Sequence, residues 1–125
     1  MTAVVLPGRP ESAGAAREFA AKALAGYPAA DDAIAALNEL VTNAIQHSIS
    51  GQPGGVLEVG LTVSAGSVLA EVRDEGPLPV PPVTSRDGFA EHGRGLAIVE
   101  ALTAMWGASR PGVRWFWMPL GGDPE

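Results

Sequence analysis

Glu39-Leu40-Val41-Thr42-Asn43-Ala44-Ile45-Gln46-His47 is the stretch on which the reading of this 125-residue chain turns. At about 100° per residue a helix stacks Glu39, Asn43 and His47 on one side. Ile34, Leu37, Val41, Ala44 and Ile45 then run along the other, with Leu40 at its edge. A merely solvated helix face usually carries Lys, Arg and several Glu; this one carries a lone carboxylate, an amide and an imidazole. Periodicity leaves both readings open, a wet surface or a built site, since exposed polar residues are common. The helix is expected to begin at a cap supplied by Asp31 or Asp32 and to run to about Ser48.

Working outward, a helix over about Glu11 to Ala25 precedes it, with Ala16, Phe19, Ala20, Ala23 and Leu24 at core-facing spacing. Gly26-Tyr27-Pro28 ends that helix, and Val4-Val5-Leu6 before it reads as a short strand closed by Pro7-Gly8. Downstream, Ser50-Gly51-Gln52-Pro53-Gly54-Gly55 is a turn-rich connector. Leu57 to Val63 and Val68 to Asp74 then alternate around Ser64-Ala65-Gly66-Ser67, a hairpin signal. Residues 75–92 lack periodicity and contain Pro77, Pro79, Pro81 and Pro82, and a loop of that length in a small domain is usually functional or disordered. A helix bearing Leu96, Val99, Leu102, Thr103 and Trp106 on one side follows, and a strand from Val113 to Leu120 closes the pattern. The order β-α-α-β-β-loop-α-β predicts an α+β fold: a two-layer α/β sandwich with a mixed, mostly antiparallel sheet covered on one face by helices.

Composition narrows the function classes. Residues 1–125 are enough for one ordinary core, so a single domain is expected, with a lid at about 77–92. The 46% hydrophobic content with 18% charged residues specifies a packed globule rather than a disordered tail. The net charge of −6, with Lys22 the lone lysine and the arginines scattered, argues against nucleic acid or an anionic membrane as partner. The absence of cysteine removes disulfides and thiolate metal sites. No apolar run approaches the roughly 20 residues of a membrane span, and Met1 to Pro10 lacks the pattern of a secretory signal, so a cytoplasmic location is expected.

Two further motifs carry chemistry. Asp74-Glu75-Gly76 ends a strand; an aspartate there accepts a hydrogen bond from an exocyclic amine, and the glycine lets a flat base approach the backbone. A simple strand-ending turn uses the same residues. Gly93-Arg94-Gly95 opens a helix whose free N–H groups suit phosphates, although a lid hinge would also use two glycines. It is not a Walker A loop, because no Gly-Lys-Ser/Thr follows. Nor is it a Rossmann fingerprint, since Ile98 stands at the third glycine position and a loop precedes it.

The order of these pieces resembles the GHKL superfamily of Bergerat-fold, histidine-kinase-like ATPases, and within it the small stand-alone anti-sigma-factor serine kinases of bacteria. Glu39 to His47 looks like the N box, Asp74-Glu75-Gly76-Pro77 like the first glycine box, and Gly93 to Val99, continuing to Met105-Trp106-Gly107, like the second. Leu6-Pro7-Gly8-Arg9-Pro10-Glu11-Ser12 is similar to the segment leading into that group's first helix. The resemblance implies ATP and Mg²⁺ as cofactors. Asn43 would be the metal ligand, and Glu39 the catalytic base for a serine hydroxyl or a water. Asp74 would bind the adenine amine, with Gly76 admitting the base. Gly93, Arg94, Gly95 and Leu96 would hold the phosphates, and His47 would lie near them or at the Asp74 end, without an assigned step. The sequence departs from the pattern in a shortened first glycine box and in Pro111-Gly112-Val113-Arg114-Trp115, which offers no hydroxyl where the group usually has one.

The implied activity is a serine/threonine protein kinase, with a sigma factor or an antagonist protein as partner and self-association into a homodimer left open. The alternative is a non-catalytic ATP-sensing module; a purely structural interaction domain would need all three motifs to be coincidental. Arg86 and Arg94 flank the lid, within reach of a γ-phosphate or simply solvated. Trp106, Trp115, Phe116 and Trp117 are expected to pack in the core, although an exposed Phe116 would mark a partner surface.

Overall fold

A computed structural model describes residues 1–77 and 96–124. Strand β1 (Thr2–Pro7) is followed by helices α1 (Ser12–Ala23) and α2 (Ala30–His47), a 3-10 turn at Ile49–Gly51, and strands β2 (Val56–Ser64) and β3 (Ser67–Arg73). After the segment outside the description come helix α3, described over 96–102, and strands β4 (Met105–Arg110) and β5 (Val113–Pro119). The five strands form one sheet in the order β1-β2-β3-β5-β4, and every neighbouring pair is antiparallel. The expected α+β sandwich is therefore present, and all the described strand pairs of its sheet are antiparallel.

The β2–β3 turn shows why the hairpin was legible. Ala65 and Gly66 both take positive φ, 52° and 77°, the twist that matches a two-residue hairpin. Ala65 carries a Cβ in that region, and asparagine tolerates it better. Ala65→Asn is accordingly expected to raise stability by about 0.5–1 kcal/mol in urea denaturation. An unchanged or lower midpoint would show that the turn is not limiting.

One sheet face packs on α1 and α2. Val59 of β2 lies opposite Val72 of β3, and Ala70 opposite Phe116 of β5, each with at most 2% exposure. From the helices, Ala16, Ala20 and Leu24 meet Ala36, Leu37 and Leu40 in the same cluster. Small residues on α1 let the two helices approach closely, and Gly26, at φ 86°, turns the chain out of α1.

Four expectations need correction. Asp31 and Asp32 do not cap α2; Ala29 holds that position without a side-chain bond, and the two aspartates sit in the first turn, where their charge complements the helix dipole. Leu40 is central to the buried face rather than at its edge, while Ile34 and Ile45 are only partly buried. The last helix does not reach Trp106. It ends at residue 102, with the Thr103 N–H and Oγ1–H both donating to the Val99 carbonyl, and Trp106 belongs to β4, an extra strand. Competition of the threonine hydroxyl for a helical carbonyl, followed by β-favouring residues, explains the switch.

The fourth correction concerns the aromatics. Phe116 is fully buried and is the core aromatic, so it marks no partner surface. Trp115 and Trp117 alternate to the other sheet face, where Trp117 is 36% exposed opposite Met105, and the Trp115 ring lies against Gly107. Trp106 shares the covered face with Phe116 but sits on the edge strand, 37% exposed. Among the described residues no helix is long and apolar enough to cross a membrane.

Candidate functional site

Helix α2 supplies the platform. Its buried set, which includes Ala33, Ala36, Leu40 and Ala44, wraps further round the helix than the larger apolar residues alone suggested. Asn43 consequently stands roughly 90° from the centre of that face. Glu39, Asn43 and His47 are thus not opposite the core but on its flank, and all three are half-buried. Asn43 and His47 are each already engaged in an interaction of their own. A half-buried stripe beside a sheet is where a ligand can be bounded by both layers.

The segment after β3 is fastened to the end of this helix. Asp74 Oδ1 accepts the Gly76 N–H at 2.7 Å, and the Asp74 N–H donates to the Gly112 carbonyl at 2.7 Å. Among the described residues, only Oδ1 of this carboxylate accepts a hydrogen bond. Gly76 is at φ 101°, and no described residue lies within 4 Å of the place a Cβ would occupy. At Gly112 the opposite holds: φ is 84°, and a Cβ would come 2.9 Å from the Asp74 carbonyl oxygen and 3.1 Å from Oδ1. The backbone of Gly112 itself presses on Asp74, and a side chain there has no room.

On the helix side, the Ile49 N–H donates to the Gly76 carbonyl at 2.9 Å, and Ser48 pairs with Pro77 as an isolated bridge. The Ser50 hydroxyl accepts the Glu75 N–H at 2.9 Å, and Glu75 Oε1 accepts the Val56 N–H at 2.6 Å. Two motifs 31 residues apart, counted from Asn43 to Asp74, are thus joined by backbone bonds to one short turn.

Segments 39–47 and 74–77 contribute the carboxylates Glu39, Asp74 and Glu75 and no arginine or lysine. A polyphosphate bound there needs a cation brought with it or positive charge from elsewhere. Among the described residues no group of three or more His, Cys, Asp or Glu could hold a metal ion. An amide oxygen such as that of Asn43 is of the ligand type that a small hard cation takes alongside water and phosphate oxygens.

Of the other residues singled out from sequence, Leu96 is half-buried at the first described position of α3. Gly93, Arg94, Gly95 and Arg86 lie outside the described residues, as does the proposed lid beyond Pro77. Sequence reasoning named Glu75 and Gly112 only within their segments and did not connect Ser48 or Ser50 with the candidate site. Ser48-Ile49-Ser50 at a helix end carried a usable signal, since paired serines there commonly bond the local backbone.

Residues 6–112 match a family model described as the histidine kinase-like ATPase domain. No curated protein matches the chain. Among solved structures, the RsbU and RsbW domains of Rv1364c from Mycobacterium tuberculosis align with a TM-score of 0.59 at 21% identity. The alignment covers 94% of this chain and 32% of that one, so this chain spans about a third of its neighbour, and the likeness is one of fold.

Proposed function

This chain belongs to the histidine kinase-like ATPase domain family, and from that premise we propose that it is a Mg²⁺-ATP-dependent regulatory kinase acting on a protein serine or threonine. The observation that carries the reading is the fastening of Asp74 and Gly76 to the end of the helix that bears Glu39 and Asn43. It supports reading the two as one site, with the carboxylate for the base and the polar stripe for the phosphates. The resemblance of the three motifs to the anti-sigma-factor serine kinases supports the substrate class, and the structural neighbour supports the fold. A sigma factor or an antagonist protein is the partner class proposed, and the site of action is the cytoplasm.

Each residue has a task set by its chemistry. Asp74 Oδ2 accepts the exocyclic amine of adenine, while the Gly76 N–H holds Oδ1 and fixes the carboxylate plane. Gly76 leaves the base room to lie against the backbone. Asn43 offers a neutral oxygen to a cation, and Mg²⁺, when bound, neutralises charge on the phosphate oxygens. Glu39, one turn before Asn43, takes the proton of the attacking hydroxyl as its oxygen bonds to the γ-phosphorus and the bond to ADP breaks. By the resemblance, Gly93, Arg94, Gly95 and Leu96 would hold the phosphates, and His47 has no assigned step.

Glu39→Ala should therefore bind ATP as the wild type does and lose phosphoryl transfer by about 100-fold or more, followed as label transfer to the partner protein. Transfer at the wild-type rate would remove Glu39 from the role of base. The second reading is ATP sensing without transfer, which uses the same nucleotide site and drops only the step assigned to Glu39. Binding without turnover by the wild type, with its partner present, would select that reading.

A further inference from the structure

Ser50 is fully buried, yet it belongs to neither motif. It sits at the centre of a chain of hydrogen bonds that begins on α2 and ends beside Asp74. The Ser48 hydroxyl donates to the Ala44 carbonyl at 2.6 Å and accepts the Ser50 N–H at 3.1 Å. The Ser50 hydroxyl in turn accepts the Glu75 N–H. Three glycines close the turn tightly: a Cβ at Gly8 or Gly55 would collide with the Ser50 carbonyl, and one at Gly51 with the Ile45 carbonyl. A buried hydroxyl whose own backbone is so clamped has little freedom to move, and its partner is the peptide N–H one residue past Asp74.

Resting on the nucleotide reading above, we infer that Ser50 is a positioning residue, whose hydroxyl fixes the Asp74-Glu75 peptide and thereby aims the Asp74 carboxylate at the exocyclic amine of the base. A rival account is that Ser50 merely fills space under the turn. The two differ in what they do to ligand discrimination. If Ser50 acts through Asp74, its loss weakens recognition of the amine alone. If it only supports packing, its loss weakens every purine nucleotide alike.

The test compares ATP with purine riboside triphosphate, which lacks the 6-amino group, on wild type and Ser50→Ala at saturating Mg²⁺, with folding verified by thermal unfolding. Loss of one neutral hydrogen bond corresponds to about a 3- to 10-fold effect. Ser50→Ala is expected to lower ATP affinity by that factor and to leave the analogue within about twofold. Equal loss for both ligands, or an unchanged ATP affinity, overturns the inference while the nucleotide site stands. Failure of the wild type to bind either ligand overturns the site itself. If Ser50→Ala does not fold, Ser48→Ala carries the same comparison, because it removes the acceptor that holds the Ser50 N–H.

Discussion

Asp74→Asn is expected to weaken ATP binding by about 10- to 150-fold, the worth of a charge-assisted hydrogen bond, with little change in folding stability. The substitution is close to isosteric, and the geometry fixes its orientation. The Gly76 N–H, 2.7 Å from Oδ1, requires an acceptor there, so the asparagine oxygen takes that place and its NH2 replaces Oδ2. A donor then faces the adenine amine, which is also a donor. Inosine triphosphate, with a carbonyl in place of the amine, should lose none of its affinity and should gain relative to ATP. The check is a pair of calorimetric titrations on the variant. Unaltered ATP affinity would place the base elsewhere.

Phe116→Ala is the prediction with the largest effect on stability, about 3–5 kcal/mol in urea denaturation. Phe116 is fully buried at the middle of β5, opposite Ala70 on one side and Trp106 on the other. Ala70 is too small to close over the space, and backbone ladders on both sides hold the strands apart, so a cavity remains. By contrast, Trp117→Ala, on the uncovered face, should cost far less. Equal losses at the two positions would mean that the helices do not define the core side of the sheet.

Much of this was legible in the sequence, for physical reasons that differ by element. The β2–β3 hairpin was clear because Ala65-Gly66 sits between two alternating segments, and α2 was clear because its apolar period extends over 18 residues. The polar stripe of Glu39, Asn43 and His47 was found, but its place on the flank was not, because alanines at 33 and 36 weigh little in a pattern and much in packing. Strand β4 was missed because Trp106 continues the helical period of Leu102 and Thr103. The aromatic side of β5 was misread because alternation states which residues share a face, not which face is covered. Only tertiary contact with α1 and α2 decides that Phe116 is inside and Trp117 outside. Ser50 and Gly112 were not visible as site residues, since their partners, Glu75 and Asp74, lie 25 and 38 residues away.

The central claim is that one nucleotide site joins Asn43 on α2 to Asp74 after β3. Its most direct test is calorimetric titration of the folded wild-type chain with ATP, with and without Mg²⁺, alongside Asn43→Ala. Saturable binding that strengthens with Mg²⁺ in the wild type, and loses that dependence in Asn43→Ala, is the expected result. No heat at nucleotide concentrations on the order of millimolar, or an Asn43→Ala variant with full Mg²⁺ dependence, would contradict it.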